Sequence, residues 1–160
     1  MKLKQILTVV YLILNIYVFC VGTLQGLLNY QAWTLIGDTE FPRLHQAVSQ
    51  RTFSLFLPFL IFSLPLNFVM IWFRHPAISR GLVVLVAVLN LAIFIVTITL
   101  AIPIQDQLDQ HKSVALIEQL IWYHLYLRTL PGTVVLLAIA TMLYQIIGKV
   151  PAPKIAAPSV

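Results

Sequence analysis

Four stretches without a single charged side chain decide what this chain can become. Lys4 and Asp38 bracket the first, which contains ILTVVYLILNIYVFCVGTLQGLL. Arg51 and Arg74 bracket TFSLFLPFLIFSLPLNFVMIWF, and Arg80 and Asp106 bracket GLVVLVAVLNLAIFIVTITLAIPIQ. Arg128 and Lys149 bracket TLPGTVVLLAIATMLYQIIG. Each run is about 20 residues or longer, enough for a helix to cross the roughly 30 Å hydrocarbon core of a bilayer. Charged residues make up 9 % of the chain, against about 25 % in a soluble domain. So few charges cannot cover a water-facing surface, and the bilayer must serve as solvent. The expected fold is all-α: a four-transmembrane-helix up-down bundle with polar outer connections. Residues 1–148 form its single domain.

The first run is too long for the h-region of a signal peptide, about 7–15 residues. Cys20 follows Phe19, where a lipoprotein cysteine follows a small residue, so the run reads as an uncleaved anchor. Residues 149–160 carry three prolines, cannot continue a helix, and are expected to form a disordered cytoplasmic tail.

An even number of spans puts both termini on one side. That side holds Lys2, Lys4, Arg74, Arg80, Lys149 and Lys154 and no acid. The opposite side holds Arg43, Arg51, Lys112 and Arg128 together with Asp38, Glu40, Asp106, Asp109 and Glu118. The positive-inside rule then places both termini in the cytoplasm. The net charge of +5 suits anionic lipid headgroups. No basic tract interleaved with aromatics points to nucleic acid.

The two connections on the acidic side, GDTEFPRLHQAVSQR and PIQDQLDQHKSVALIEQ, are polar and are expected to extend as helix beyond the hydrocarbon, with Pro42 in a first turn and Ser113 opening a helix. Counting at 1.5 Å per residue, His124 lies roughly 36 Å and Arg128 about 30 Å from Gly148, while His45 lies roughly 42 Å from Phe73. All three fall at or just beyond one hydrocarbon boundary, so they do not mark a charged path through mid-membrane. His124 and Arg128 are four residues apart and share a helix face.

His45, His124 and Arg128 are the candidate catalytic residues. If their helix faces meet, two imidazoles and a guanidinium surround one outer pocket, with Asp38, Glu40, Asp106 and Asp109 above it. The competing reading makes Arg51 and Arg128 snorkelling cations, His45 a surface residue at a helix start, and His124 an interfacial anchor. Trp33, Trp72 and Trp122 read as belt residues. Asn15, Asn29, Asn67 and Asn90 are expected to make interhelical hydrogen bonds, and Pro58, Pro65 and Pro131 to kink their helices. No H-E-x-x-H, Gly-rich phosphate loop, C-x-x-C or G-x-S-x-G motif occurs. A haem between His45 and His124, or a metal on His45, His124 and Glu118, has the residue types but no diagnostic spacing. The sequence assigns no cofactor and no metal.

Three segments carry a family resemblance: FPRLHQAVSQRTFSLFLP (Phe41 to Pro58), IPIQDQL (Ile102 to Leu108) and LIEQLIWYHLYLRT (Leu116 to Thr129). They resemble the anthrone-oxygenase-like family of small four-helix bacterial membrane proteins. Phe41, Pro42, His45, Pro103, Trp122, Arg128 and Thr129 match its short motifs, whereas His124 lies outside them. The resemblance implies a membrane protein related to fungal oxidases of polyketide anthrones. Two readings follow. One is an oxidoreductase or oxygenase taking a lipophilic aromatic or quinone-like molecule from the outer leaflet of a bacterial inner membrane. The alternative is a non-enzymatic assembly or partner subunit, whose polar cap meets another protein or a second copy.

Overall fold

The computed structural model describes residues 2–148; the expected tail, 149–160, lies outside the described residues. Four helices are long and apolar enough to cross a membrane: α1 Leu3–Trp33, α2 Phe41–Phe73, α3 Arg80–Leu108 and α4 Val114–Ile147. They run up, down, up, down. Each packs against two neighbours in a closed ring, α1 on α2 and α4, and α3 on α2 and α4. The four-transmembrane-helix bundle expected from the uncharged runs is the fold.

Helices of this length overshoot the bilayer. The 33 residues of α2 span about 50 Å, so about 20 Å projects beyond the hydrocarbon. Pro42 sits in the first turn of α2, where its missing N–H removes no helical bond. At the start of α4 the Ser113 hydroxyl accepts from Leu116 N–H at 3.4 Å, as an N-cap residue does. The end of α1 is closed by a cation from another part of the chain. Lys112 Nζ donates to the Thr34 carbonyl at 3.2 Å and to that of Ile36, and pairs with Asp38 at 3.4 Å. A cation there satisfies C-terminal carbonyls and complements the helix dipole.

The bundle interior is layered. One apolar core, built on Tyr11, Met70, Val83, Val86, Ile139 and Met142, fills the end near the termini. A second, built on Tyr30, Trp33, Phe41, Leu108, Ile117 and Leu120, fills the opposite end. Large apolar side chains such as Ile13, Phe62, Leu137 and Ile147 cover the exterior, the surface lipid requires.

Three asparagines tie the interior together. Asn90 Nδ2 donates to Asn15 Oδ1 at 2.8 Å, and Asn15 Nδ2 donates to Asn67 Oδ1 at 3.3 Å and to the Tyr11 carbonyl at 2.8 Å. The network joins α1, α2 and α3, as expected for those residues. Asn29 differs: it donates to Gln25 Oε1 at 2.6 Å on its own helix. Replacing Asn15 by Leu is expected to destabilise the bundle by about 1–2 kcal/mol, since two interhelical bonds are lost. Asn29→Leu should cost less. Reversible unfolding in mixed micelles measures both.

Candidate functional site

Three wide, π-type turns interrupt the α-helical bonding, at Gly26–Tyr30 in α1, Thr97–Ala101 in α3 and His124–Thr129 in α4. Two of them have a proline just beyond. A proline ring clashes with the carbonyl four residues before it. For Pro103 that residue is Thr99 and for Pro131 it is Leu127, both inside the wide turns. Hydrogen bonding from residue i to i+5 relieves the clash locally. Pro58 and Pro65 leave α2 continuous from Phe41 to Phe73.

The turn in α4 builds the site. It brings residue i+5 beside residue i, so the Thr129 hydroxyl lies in hydrogen-bond contact with His124 Nε2 at 3.2 Å. A 3.6-residue period does not pair these positions. His124 is 5 % exposed. Its ring lies against the backbone of Gly26, and any Cβ at that position would fall inside the imidazole. Tyr30 meets the same ring edge-on at 5.4 Å. The wide turn of α1 therefore begins at a residue that must have no side chain and ends at one that holds the histidine.

Arg128 is half-buried and, among the described residues, makes no hydrogen bond or ion pair. It lines two lateral cavities. The first, of about 40 Å³, lies among α1, α2, α3 and α4; Phe19, Gly22, Phe56 and Ile93 form apolar walls, while His124, Arg128 and Thr129 supply polar groups. The second, of about 80 Å³, also reaches Arg128 and is bordered by Gln25, Tyr30, Ser49, Thr52 and Gln105. Leu60, Thr97 and Arg128 are common to both and form the partition between them. Room for one water is about 10–15 Å³, so each cavity has the size of a few waters.

His45 stands apart from this pair. Its ring is 0 % exposed, which overturns the surface reading. Phe41 stacks on it at 5.4 Å and Trp33 meets it edge-on at 4.5 Å. Trp33 contacts Tyr30 at 4.9 Å, and Tyr30 contacts His124. Two aromatic rings thus separate the histidines, and His45 lines neither cavity. The expected single pocket with two facing imidazoles is divided: His124 and Arg128 share a cavity, while His45 forms its own centre. There its Nδ1–H donates to Asp109 Oδ1 at 2.6 Å. Gln46 Nε2 holds the Asp109 carbonyl at 3.0 Å.

The acids do not close over one pocket. Asp109 meets His45 and Asp38 meets Lys112, while Glu40 and Asp106 are exposed. Trp33, read as a belt residue, is 2 % exposed in the core, whereas Trp72 and Trp122 face outward. Arg51 is exposed, as a snorkelling cation would be. Among the described residues, no three His, Cys, Asp or Glu side chains gather as a metal site, and Glu118 is exposed. Family models, curated proteins and solved structures gave no match to this chain.

Gly26→Ala is expected to cost about 1–3 kcal/mol, the usual penalty for overpacking a filled interior, and to expel the His124 ring. Gly37→Ala is the control, because nothing lies within 4 Å of a Cβ there. Thermal unfolding in detergent separates the two.

Proposed function

We propose that this chain is a bacterial inner-membrane protein, with both termini cytoplasmic, that binds a lipophilic aromatic, phenolic or quinone-like molecule from the outer leaflet. The chemistry we assign to it is oxidoreductase or oxygenase-like, as the resemblance to the anthrone-oxygenase-like family implies. The observation that carries this reading is Arg128: a half-buried guanidinium without a partner at the junction of two apolar-walled cavities, beside a buried histidine. The orientation follows from the charge bias, with Lys4, Arg74 and Arg80 on the terminal side and the five acids on the other.

A cation without an internal partner is costly near hydrocarbon, about 3 kcal/mol at mid-membrane on insertion scales and less toward the boundary. An anionic oxygen on a flat apolar molecule offsets that cost. The apolar part replaces lipid against Phe19 and Phe56, and the oxygen meets Arg128. A fixed positive charge in a dry site stabilises a phenolate or enolate more than it stabilises the neutral form. The resulting electron-rich anion is easier to oxidise, with dioxygen or a membrane quinone as acceptor. His124 and Thr129 offer further hydrogen bonds to the same oxygen. The inward placement of His124 and Arg128 favours this reading over a partner subunit, whose polar residues would point away from the bundle.

The test compares two bicyclic probes in nanodiscs. 2-Hydroxy-1,4-naphthoquinone is an anion at neutral pH, and 2-methyl-1,4-naphthoquinone is neutral. The anion is expected to bind more tightly. Arg128→Ala should weaken the anion about tenfold or more, since a hydrogen bond to a charged group contributes about 1.5–3 kcal/mol. The neutral probe should change little. Equal loss for both probes, or no binding of either, would remove Arg128 as an oxyanion site. Quenching of tryptophan fluorescence gives the affinities.

A further inference from the structure

Among the described residues, four buried polar atoms outside the His124–Arg128 pair lack partners: His45 Nε2, Ser49 Oγ, Tyr11 Oη in the core near the termini, and Asn67 Nδ2. The last belongs to the asparagine network. The first two lie one helical turn apart on the same face of α2, because residues i and i+4 are neighbours there. Both residues are buried, His45 at 0 % and Ser49 at 7 % exposure. A buried polar atom left unpartnered costs about 1–3 kcal/mol. Two such atoms one turn apart on the same helix face point to a shared occupant that both accepts and donates hydrogen bonds. Water is the smallest species with that capacity.

The surroundings give the pair a direction. The two nitrogens of an imidazole diverge. In His45, Nδ1–H is committed to Asp109, whose side chain is 37 % exposed at the polar end of the bundle. Nε2 is left as the acceptor. Ser49 lines the second cavity, the one that also reaches Arg128. Asp109 therefore faces the exterior, Ser49 faces the cavity, and His45 joins them. Trp33 and Phe41 hold the ring from two sides.

We propose that Asp109, His45, one bridging water and Ser49 form a proton-exchange site serving the second cavity. His45 is the base. A proton leaving a group in the cavity passes along the Ser49 hydroxyl and the water to Nε2. The resulting imidazolium keeps its Nδ1–H on Asp109, whose carboxylate balances the new charge. Return of the proton along the same route restores the neutral ring, so no co-reactant is consumed. Asp109 is a positioning residue: it fixes the tautomer and stabilises the charged ring, as a carboxylate does behind a catalytic histidine. The ionisable group in contact with His45 is Asp109, and Arg128 is the charged group on the cavity it serves. The inference deepens the proposed function by naming its base. It is tested without any ligand, so it can fail while naphthoquinone binding stands, and the reverse.

The full chain, labelled with ¹⁵N-histidine in nanodiscs, provides the test by NMR. The wild type is expected to show a neutral His45 with the proton on Nδ1 and a hydrogen-bonded acceptor Nε2. Ser49→Ala should shift the Nε2 resonance, leave His124 unmoved as a control for the fold, and slow proton exchange at His45 about tenfold or more. Asp109→Asn should change the tautomer, and Asp109→Glu should restore it. A wild-type proton on Nε2, or an Nε2 signal and exchange rate indifferent to Ser49→Ala, would overturn the proposal.

Discussion

Every polar group inside this bundle must find its partner within the protein, because lipid offers none. That constraint organises the interior. Asn15, Asn67 and Asn90 bond to one another across three helices. Lys112 closes the carbonyls at the end of α1. The hydroxyls of Thr8, Thr97, Thr133 and Thr141 return to the carbonyl four residues back on their own helices. Against that background the exceptions stand out. Among the described residues, Arg128, His45 Nε2, Ser49 Oγ, His124 Nδ1, Asn67 Nδ2 and Tyr11 Oη are without protein partners, and Arg128 and Ser49 border the same cavity. A stable membrane interior tolerates such groups where they have work to do.

The wide turns explain how an otherwise regular bundle gathers His124, Arg128 and Thr129 beside Gly26 and Tyr30. Without the turn at His124–Thr129, Thr129 would rotate away from His124, and Pro131 would press on the Leu127 carbonyl. Without the turn at Gly26–Tyr30, the backbone of α1 and the ring of Tyr30 would not grip the imidazole from two directions. The small volume of the two cavities has the same origin. Leu60, Thr97 and Arg128 fill the space between them, and their side chains set how far each cavity extends.

Much of the architecture was legible in the residues. Uncharged runs bounded by Lys, Arg and Asp define the spans, because hydrocarbon tolerates so few charges. Pro42 and Ser113 mark helix starts through their backbone chemistry. The grouping of His124 with Arg128 also follows from spacing. What escaped has a physical reason in each case. Thr129 was invisible as the partner of His124 because π-type spacing breaks the 3.6 period. Gly26 reads as an ordinary apolar-run residue until the ring against it is seen. The bond from His45 to Asp109 joins residues 64 positions apart, and no local pattern encodes it. The burial of Trp33 depends on α1 packing beneath α2 at their polar ends, which composition alone assigns equally well to the membrane boundary.

We propose that a lipophilic molecule enters the bundle at the Arg128 partition. Photocrosslinking from within the bilayer tests it most directly. A diazirine-bearing hydroxynaphthoquinone would be incorporated in nanodiscs, activated, and its adducts mapped by mass spectrometry. Adducts concentrated on the cavity walls, at Phe19, Phe56, Leu60 and Ile93, and lost in Arg128→Ala, are the expected result. Adducts spread over lipid-facing positions such as Ile13, Phe62 and Leu137, with no dependence on Arg128, would contradict it.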